Sequence, residues 1–391
     1  MLTACTLGQA THVLLQWQSD SKSCSGIWRS EMPPPRRMLL VDDTLSADAA
    51  YRMACEGTGL LWRGDFHNAR HMLQALARRL DRSSRRKVEK ASLPDSPSAI
   101  FHRHRQTQAQ RVRVLSMLLV ELQGDYSMAM RRAPDVRQAC TEAWGVPDGQ
   151  SNVAPLRSLQ GLIGAHEWRK KGVPIAALGN AHIHPHYGVF SPIRGEYLDL
   201  VVRAPLPAAL QETPCAFDIG VGTGVLSALL SQRGVARVVA TDLSDRALVC
   251  AAENLERFGL AGRVSLEKTD LFPSGRAALV VCNPPWLPAR PTSVLDQAVY
   301  DEDSSMLRGF LSGLSAHLCE RGEGWLILSD LAEHLGLRKR QELMSWIETA
   351  GLVVLDRLDV RPRHAKVKYV SDPLHAARMA EVTSLWRLGI A

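Results

Sequence analysis

Apolar positions follow two different periods along this chain of 391 residues. Before about residue 180 they recur every three or four positions, which predicts helices. Beyond it, short apolar runs alternate with helical patterns, which is typical of a doubly wound α/β unit. The predicted helices run from Ala47 to Leu61, Phe66 to Leu80, Ile100 to Leu119, after Pro134, and from Leu156 to Lys171.

These patterns predict three regions. Residues 1–45 show no sustained period and are expected to be a poorly ordered leader. Residues 46–180 are expected to form a mainly helical accessory domain for substrate recognition, in which Ser83 to Ser98 is an exposed loop. Residues 181–391 are expected to form the α/β catalytic domain.

One glycine-rich segment indicates a ligand site in the α/β domain. The run Ala216-Phe217-Asp218-Ile219 reads as a strand, Gly220-Val221-Gly222-Thr223-Gly224 as a turn, and Val225-Leu226 as the start of a helix. Glycine lets a backbone approach a ligand closely, and open α/β sheets bind ligands beyond the carboxyl ends of their strands. A nucleotide-like ligand is therefore expected at this turn.

Two acidic residues follow the next strands. The run Val238 to Asp242 predicts a strand that ends in an acid 18 positions after Gly224, a distance that suits a carboxylate bound to ribose hydroxyls. A third strand begins at Val264 and leads to Asp270 and Leu271. Asp270 is expected to accept from an adenine amino group and Leu271 to line the ring.

The tetrapeptide Asn283-Pro284-Pro285-Trp286 follows a fourth apolar strand, Ala278 to Cys282. The expected target of this tetrapeptide is a planar nitrogen, either an exocyclic amine or a carboxamide. Such a nitrogen is a poor nucleophile because its lone pair is delocalised. The Asn283 side-chain oxygen and the Pro284 carbonyl are expected to accept from its N–H groups, orienting the lone pair and stabilising developing charge. Pro285 stiffens the loop, and the Trp286 face is expected to stack on a planar target.

In this order, these motifs resemble the class I S-adenosylmethionine-dependent methyltransferases over about residues 188–391. The nearest subfamilies by motif are the release-factor glutamine-N5 methyltransferases and the RNA adenine-N6 or guanine-N2 methyltransferases. The resemblance implies S-adenosylmethionine as cofactor and a Rossmann-like seven-stranded sheet ordered 3-2-1-4-5-7-6, with strand 7 antiparallel. The residues that it implies for cofactor binding are Asp218, Gly220, Gly222, Thr223, Gly224, Asp242, Leu243, Asp270, Leu271 and Asn283, and those for catalysis are Asn283, Pro284, Pro285 and Trp286.

Some features depart from these patterns. The alternative interpretation of the glycine turn is a nicotinamide dinucleotide site. The sequence fingerprint of such sites places the third glycine three positions after the second, which would be position 225, and this chain has valine there. The family more often has Tyr or Phe where this chain has Trp286. The segment from Tyr187 to Pro192 matches the family only in part, because Ser191-Pro192-Ile193-Arg194 lacks the Pro-Arg and Thr-Glu usual in the release-factor enzymes.

Charge distribution bears on the methyl acceptor. The formal net charge is +7, and most of the basic excess lies in the first half of the chain. Residues 1–200 contain 26 Lys and Arg against 18 Asp and Glu, and the stretch from Arg78 to Arg113 alone contains eleven basic and three acidic residues. This stretch suits a polyanion, or else is a solvated helical face and linker. An RNA base is the preferred acceptor, with a protein glutamine, a small molecule, or a nucleic-acid-binding protein with an inactive methyltransferase domain as alternatives.

Other residue patterns narrow the class further. The eight cysteines have neither zinc-ligand nor disulfide spacing, no apolar run is long enough to span a bilayer, and no export signal is recognisable, so a cytoplasmic protein without a structural metal is expected. His182, His184 and His186 alternate, but polar or substrate-facing roles are favoured over a metal site. The basic insertion at residues 361–380 either contacts substrate or is a solvated loop.

Overall fold

The computed structural model describes residues 2–7, 10–19, 22–90, 96–193, 195–362 and 372–391. The chain divides into two compact units. The first contains residues 1–95 and 102–167, and the second contains residues 96–101 and 168–391. The division thus falls at residue 167, where the sequence predicts a boundary near 180.

The first unit is built on a mixed seven-stranded sheet with the order β1-β2-β3-β7-β6-β5-β4. Strands β4, β5 and β6 are parallel neighbours, whereas β1, β2 and β3 are antiparallel. The strands are β1 (Leu2–Leu7), β2 (Ala10–Ser19), β3 (Lys22–Trp28), β4 (Arg37–Val41), β5 (Thr58–Trp62), β6 (Leu118–Leu122) and β7 (Asn152–Pro155). The helices are α1 (Ala47–Cys55), α2 (Phe66–Lys90), α3 (Pro97–Leu115), α4 (Arg137–Trp144) and α5 (Leu156–Lys171), the last of which continues into the second unit.

The expectation of a poorly ordered leader is wrong for the described residues, since β2, β3 and β4 all lie before residue 45. In β2, the buried Leu15 and Trp17 alternate with the exposed Gln16 and Gln18. This two-residue period covers only a few positions, and the strand becomes stable by pairing with β3.

The helices of residues 46–180 do not form a separate helical domain, because they accompany that sheet. The helix predicted from Ala47 to Leu61 ends at Cys55, because Gly57, two residues later, adopts a left-handed conformation with a φ of 83°. The chain then forms a fully buried strand over Thr58–Trp62. The helix predicted to reach Leu119 likewise stops at Leu115, before β6. In the predicted loop from Ser83 to Ser98, residues 83–90 continue α2, and residues 91–95 lie outside the described residues.

The second unit contains the other seven-stranded sheet, ordered β12-β11-β10-β13-β14-β16-β15. Numbered within this sheet, the strands run 3-2-1-4-5-7-6, and the seventh is antiparallel to both neighbours. Its strands are β10 (Cys215–Ile219), β11 (Arg237–Asp242), β12 (Val264–Lys268), β13 (Ala277–Cys282), β14 (Leu318–Ser329), β15 (Leu352–Val360) and β16 (Thr383–Ile390), and a separate hairpin contains β8 (Val173–Ile175) and β9 (Ala181–Ile183). The helices are α6 (Glu196–Arg203), α7 (Val225–Gln232), α8 (Asp245–Arg257), α9 (Ser305–His317), α10 (Leu331–His334), α11 (Arg340–Thr349) and α12 (His375–Ala380).

Apolar side chains cover both faces of this sheet. In β13, Leu279 and Val281 belong to one buried cluster, and Val280 and Cys282 belong to the other. A strand buried on both faces reads as a continuous apolar run, as β13 does. Because β10, β11, β12 and β13 are parallel, the loops that follow them meet at one edge of the sheet.

Two further expectations concern cysteines and membranes. None of the seven cysteines whose side chains are described forms a disulfide, and Cys140, Cys250 and Cys282 are buried. Across the described residues, every helix is too short or too polar to cross a bilayer.

Candidate active site

The glycine turn is anchored to the end of the neighbouring strand. The backbone N–H groups of Gly220 and Val221 both donate to the Thr241 carbonyl, at 2.9 and 2.8 Å. Gly220, Gly222 and Gly224 have φ values of 78°, 52° and 81°, a region that L side chains rarely adopt. The conformation of the turn therefore requires the glycines that the sequence places there.

The turn also leaves space for a ligand. Apart from its chain neighbours, a Cβ added at Gly222 would meet only the Gly220 carbonyl oxygen among the described atoms, at 4.0 Å. A Cβ at Gly224 would instead touch Ala251 of α8 at 3.4 Å. Gly222 thus permits close approach of a ligand, and Gly224 permits close packing of a helix.

Asp242 lies beside this turn at the end of β11. Its Oδ2 accepts from the Gly222 N–H at 3.1 Å, and its Oδ1 accepts from the Ser244 N–H at 2.9 Å. The side chain is half-buried, and each carboxylate oxygen has a further lone pair. Asp242 can therefore hold the turn and accept hydrogen bonds from ligand hydroxyls. Leu243, which follows it, is exposed.

Asp218 is fully buried within β10, beneath the turn. Its Oδ2 accepts from the Ser227 hydroxyl at 2.6 Å, whereas no described residue donates to its buried Oδ1. Burial raises the pKa of Asp218 to about 6, a rise that the hydrogen bonds from Ser227 oppose and the charge of Asp242 increases. A cationic ligand group near Oδ1 would favour the ionised carboxylate.

Asp270 and Leu271 lie in the loop after β12, at the same edge of the sheet. Asp270 is exposed, and Leu271 is half-buried with a φ of 60°. A left-handed conformation costs a residue such as leucine about 1 to 2 kcal/mol. The Thr241 hydroxyl stabilises this conformation of Leu271 by donating a hydrogen bond to the Leu271 carbonyl. The Leu271 side chain fits against Gly309 of α9, which has no Cβ to obstruct it.

The tetrapeptide emerges next to the glycine turn. Strands β10 and β13 are parallel with Ile219 opposite Cys282, so Asn283 and Gly220 are the first residues beyond paired strand ends. Pro284 is buried, whereas Asn283, Pro285 and Trp286 are half-buried.

Trp286 makes a contact that the sequence did not indicate. Its indole Nε1 donates to the Asn283 Oδ1 at 3.0 Å, and its ring packs against the apolar clusters of both sheet faces. An oxygen acceptor with two lone pairs can take this bond and one more. Trp286 thus holds the Asn283 amide in one orientation.

Buried polar contacts connect α8 to the segment that precedes the sheet. Asn254 is fully buried, and its side chain donates to the Thr223 carbonyl at 3.1 Å and accepts from the His184 N–H at 2.8 Å. The Arg246 guanidinium donates to the Tyr187 carbonyl at 2.9 Å. Sequence reasoning missed Asn254 and Arg246, because their partners are backbone groups distant in sequence.

The three alternating histidines have ordinary polar partners where contacts are described. His184 Nδ1 lies 2.7 Å from the Arg169 carbonyl, and His186 Nε2 lies 2.9 Å from Glu253. Within the described ranges, no three His, Cys, Asp or Glu side chains are grouped so that they could hold a metal ion. In the insertion at 361–380, residues 375–380 form α12, and residues 363–371 lie outside the described residues.

Part of the second unit is similar to known methyltransferases. Residues 180–328 match the family described as "Methyltransferase small domain". The release factor glutamine methyltransferase of Cereibacter sphaeroides is 33% identical over 176 residues, which cover 40% of this chain and 61% of that protein. The tRNA1(Val) (adenine(37)-N6)-methyltransferase of Vibrio cholerae is 37% identical over 73 residues, 18% of this chain and 30% of that protein.

Among solved structures, the ribosomal protein L11 methylase from Lactobacillus delbrueckii subsp. bulgaricus aligns over 54% of this chain and 86% of its own, with 19% identity and a TM-score of 0.36. The two sequence relatives above are matched over less than two thirds of their length. The family match includes the glycine turn, Asp242 and the tetrapeptide. The chain therefore contains a class I S-adenosylmethionine-dependent methyltransferase domain.

Proposed function

We propose that this chain methylates the side-chain amide nitrogen of a glutamine in a protein. The observation that carries the proposal is the parallel pairing of β10 with β13, which brings Asn283 beside the glycine turn. The similarity to a release factor glutamine methyltransferase supports glutamine as the acceptor, in place of the RNA base that the sequence analysis prefers.

The residues around the turn fit S-adenosylmethionine. Gly222 borders open space, and Asp242 retains acceptor capacity for the ribose hydroxyls. Asp218 Oδ1, to which no described residue donates, suits a ligand with a positive charge. When bound, the cofactor supplies a methyl group on a positively charged sulfur. Asp270 and Leu271 are proposed to contact the adenine, and Leu243 to lie against the cofactor.

Asn283 and Pro284 are proposed to bind the acceptor amide. The amide has two N–H groups, and the Asn283 Oδ1 and the Pro284 carbonyl accept one each. Two acceptors draw electron density onto the nitrogen, turn its lone pair out of conjugation and stabilise the positive charge that develops on it. No strong base is required, because the methylated nitrogen loses its surplus proton to water.

Trp286 is proposed to position Asn283. Its N–H occupies one lone pair of the Asn283 Oδ1 and leaves the other for the acceptor. An amide oxygen fixed beforehand needs no reorientation when charge develops, which is the condition for electrostatic catalysis. Pro285 restricts the loop between the two side chains.

An RNA base is the second candidate acceptor, and one observation favours it. Three arginines of the basic stretch on α2 and α3 are exposed, namely Arg78, Arg82 and Arg113. Two others are neutralised, since Arg79 pairs with Asp48 and Arg111 pairs with Asp81. Exposed arginines in the first unit would contact phosphates and position a base.

The first unit is proposed to recruit the macromolecular acceptor. A cytoplasmic location belongs to the same proposal, because the names of the relatives concern a release factor and a tRNA, both of which act in translation.

Transfer of a labelled methyl group tests the proposal. Purified full-length protein is incubated with labelled S-adenosylmethionine and, in separate reactions, glutamine-containing peptides, total tRNA and a small-molecule extract. We expect label in peptide, lost in Asn283→Ala and kept in the control Asn68→Ala, which changes the same residue type in α2. Label only in tRNA would favour the RNA base, and cofactor binding without label in any fraction would favour an inactive binding protein.

A further inference from the structure

Strand β4 lies at one end of the first sheet, and its outer edge is apolar. It pairs with β5 on one side, and no described strand lies on the other. The residues that follow Arg37 in this strand are Met-Leu-Leu-Val. The side chains of Leu39 and Leu40 point to opposite faces of the sheet and are 44% and 39% exposed. Such an edge is a template for pairing with another strand.

Strand β15, at one end of the second sheet, is an edge of a different kind. It contains the exposed, charged residues Asp356, Arg357 and Asp359. Charged side chains on an edge strand oppose its pairing with a second strand. Between Arg37 and Val41, β4 contains no charged residue, so it lacks this protection.

The space beside the carboxyl end of β4 is open. A surface cavity of about 520 Å³ is lined by Leu40, Val41, Asp42 and the loop that follows them, together with Arg63 after β5. A second strand therefore has room to approach this part of the edge.

The directions of the backbone groups restrict how a second copy of β4 can pair with the first. The Val41 carbonyl accepts from the Arg63 N–H at 2.8 Å, so the backbone polar groups of Val41 point toward β5. These directions alternate along a strand, and those of Met38 and Leu40 therefore point outward. Because both copies present the same residues outward, an antiparallel pair places even-numbered residues opposite even-numbered residues.

Charge complementarity favours one of the remaining registers. If Leu39 lies opposite Leu39 of a second copy, then Met38 lies opposite Leu40, and Arg36 lies opposite Asp42. Arg36 and Asp42 are both exposed, and opposite charges directly across an antiparallel pair stabilise it. A shift by two residues would place Asp42 opposite Met38, and a parallel pair in register would place like charges side by side.

We propose that two copies of this chain associate through β4, in an antiparallel pair centred on Leu39. Both copies use the same edge, so the assembly closes as a dimer with a two-fold axis. The two first-unit sheets then form one continuous sheet. Arg36 and Asp42 set the register, while Leu39 and Leu40 bury apolar surface on association.

The molar mass of the full chain in solution tests this proposal. Sedimentation equilibrium at increasing protein concentration should give a mass that rises from 43.1 kDa, the value for one chain, to twice that value. Leu39→Glu places two carboxylates opposite each other and should keep the mass at 43.1 kDa. Leu355→Glu is the control, because Leu355 is 51% exposed on the edge strand β15, and this variant should dimerise as the wild type does.

A charge exchange tests the register. Arg36→Asp places two acids opposite each other, and Asp42→Arg places two bases opposite each other, so each variant alone should raise the dimer Kd about tenfold or more. An equimolar mixture of the two variants restores both pairs of opposite charges, as does the double variant. Both should dimerise with a Kd close to that of the wild type.

Thermal unfolding shows whether each variant is folded, and if Leu39→Glu is not, the charge exchange decides. A wild-type mass of 43.1 kDa at every concentration would overturn the proposal. A dimer that survives in a folded Leu39→Glu variant would show that the copies associate through another surface. A mixture of the two charge variants that stays monomeric would equally contradict the pairing of Arg36 with Asp42.

Discussion

Replacing Trp286 with Phe separates two roles for this ring. Phenylalanine keeps an aromatic face for stacking but removes the N–H that donates to Asn283 Oδ1 at 3.0 Å. If the indole positions the Asn283 amide, kcat falls and KM for the acceptor stays unchanged. If the ring only stacks on the acceptor, Trp286→Phe changes little, and Trp286→Ala raises KM.

The expected fall in kcat follows from the strength of the hydrogen bond between the Trp286 indole and the Asn283 Oδ1. A neutral hydrogen bond contributes about 0.5 to 1.5 kcal/mol net, and about 1.4 kcal/mol corresponds to tenfold in rate. The kcat of Trp286→Phe should therefore fall about 2- to 12-fold at saturating acceptor and cofactor.

Initial rates of labelled methyl transfer measure this change, and thermal unfolding monitors stability. Trp346→Phe is the matched control, because Trp346 is also half-buried against the apolar cluster that contains Val280 and Cys282. Its kcat should remain at the wild-type value. A Trp286→Phe enzyme with wild-type kcat would refute the positioning role.

Three other substitutions test the cofactor site. Asp242→Ala removes a charged acceptor beside the turn and should weaken S-adenosylmethionine binding about 10- to 100-fold, as measured by isothermal titration calorimetry. An unchanged Kd would show that Asp242 does not bind the cofactor. Gly222→Ala should lower the same affinity with a stability loss of only about 1 to 2 kcal/mol, because its methyl group enters open space at a φ of 52°; an unaltered affinity would show that the cofactor lies elsewhere. The pKa of Asp218 in the folded protein is about 6, above the ordinary value of 3.8, so the folded state binds more protons than the unfolded state between these pH values. The free energy of unfolding of the protein should therefore fall by up to about 3 kcal/mol as the pH rises from 4 to 7. Asp218→Asn should flatten that decline in urea unfolding without cofactor, and an identical pH dependence would contradict the raised pKa.

Local patterns were sufficient to predict strands of the second sheet, whereas the strand order was implied by the family resemblance. The run from Val238 to Asp242 corresponds to β11, and Ala278 to Cys282 corresponds to β13, because strands buried on both faces are apolar throughout. Parallel neighbours then bring their carboxyl ends to one edge, so the glycine turn and the tetrapeptide meet as expected.

The first sheet depends on pairings distant in sequence. Strand β3 pairs with β7 through Ile27 and Asn152, and no local period in a short segment reveals such a partner. Buried runs such as Thr58–Trp62 also follow a helix closely enough to read as its continuation.

The contacts that orient the site were equally hidden. The Trp286 indole bond depends on the side-chain geometry of the loop, and Asn254 reaches a carbonyl 31 positions away.

The measurement that tests the central claim most directly compares cofactor binding and methyl transfer in Asn283→Ala. Calorimetry gives the affinity for S-adenosylmethionine, and mass spectrometry of glutamine-containing peptides gives the gain of one methyl group. We expect an affinity within a few-fold of wild type and no detectable methylation, while Asn68→Ala behaves as wild type in both. Methylation by Asn283→Ala at the wild-type rate would contradict the claim that this amide binds the methyl acceptor.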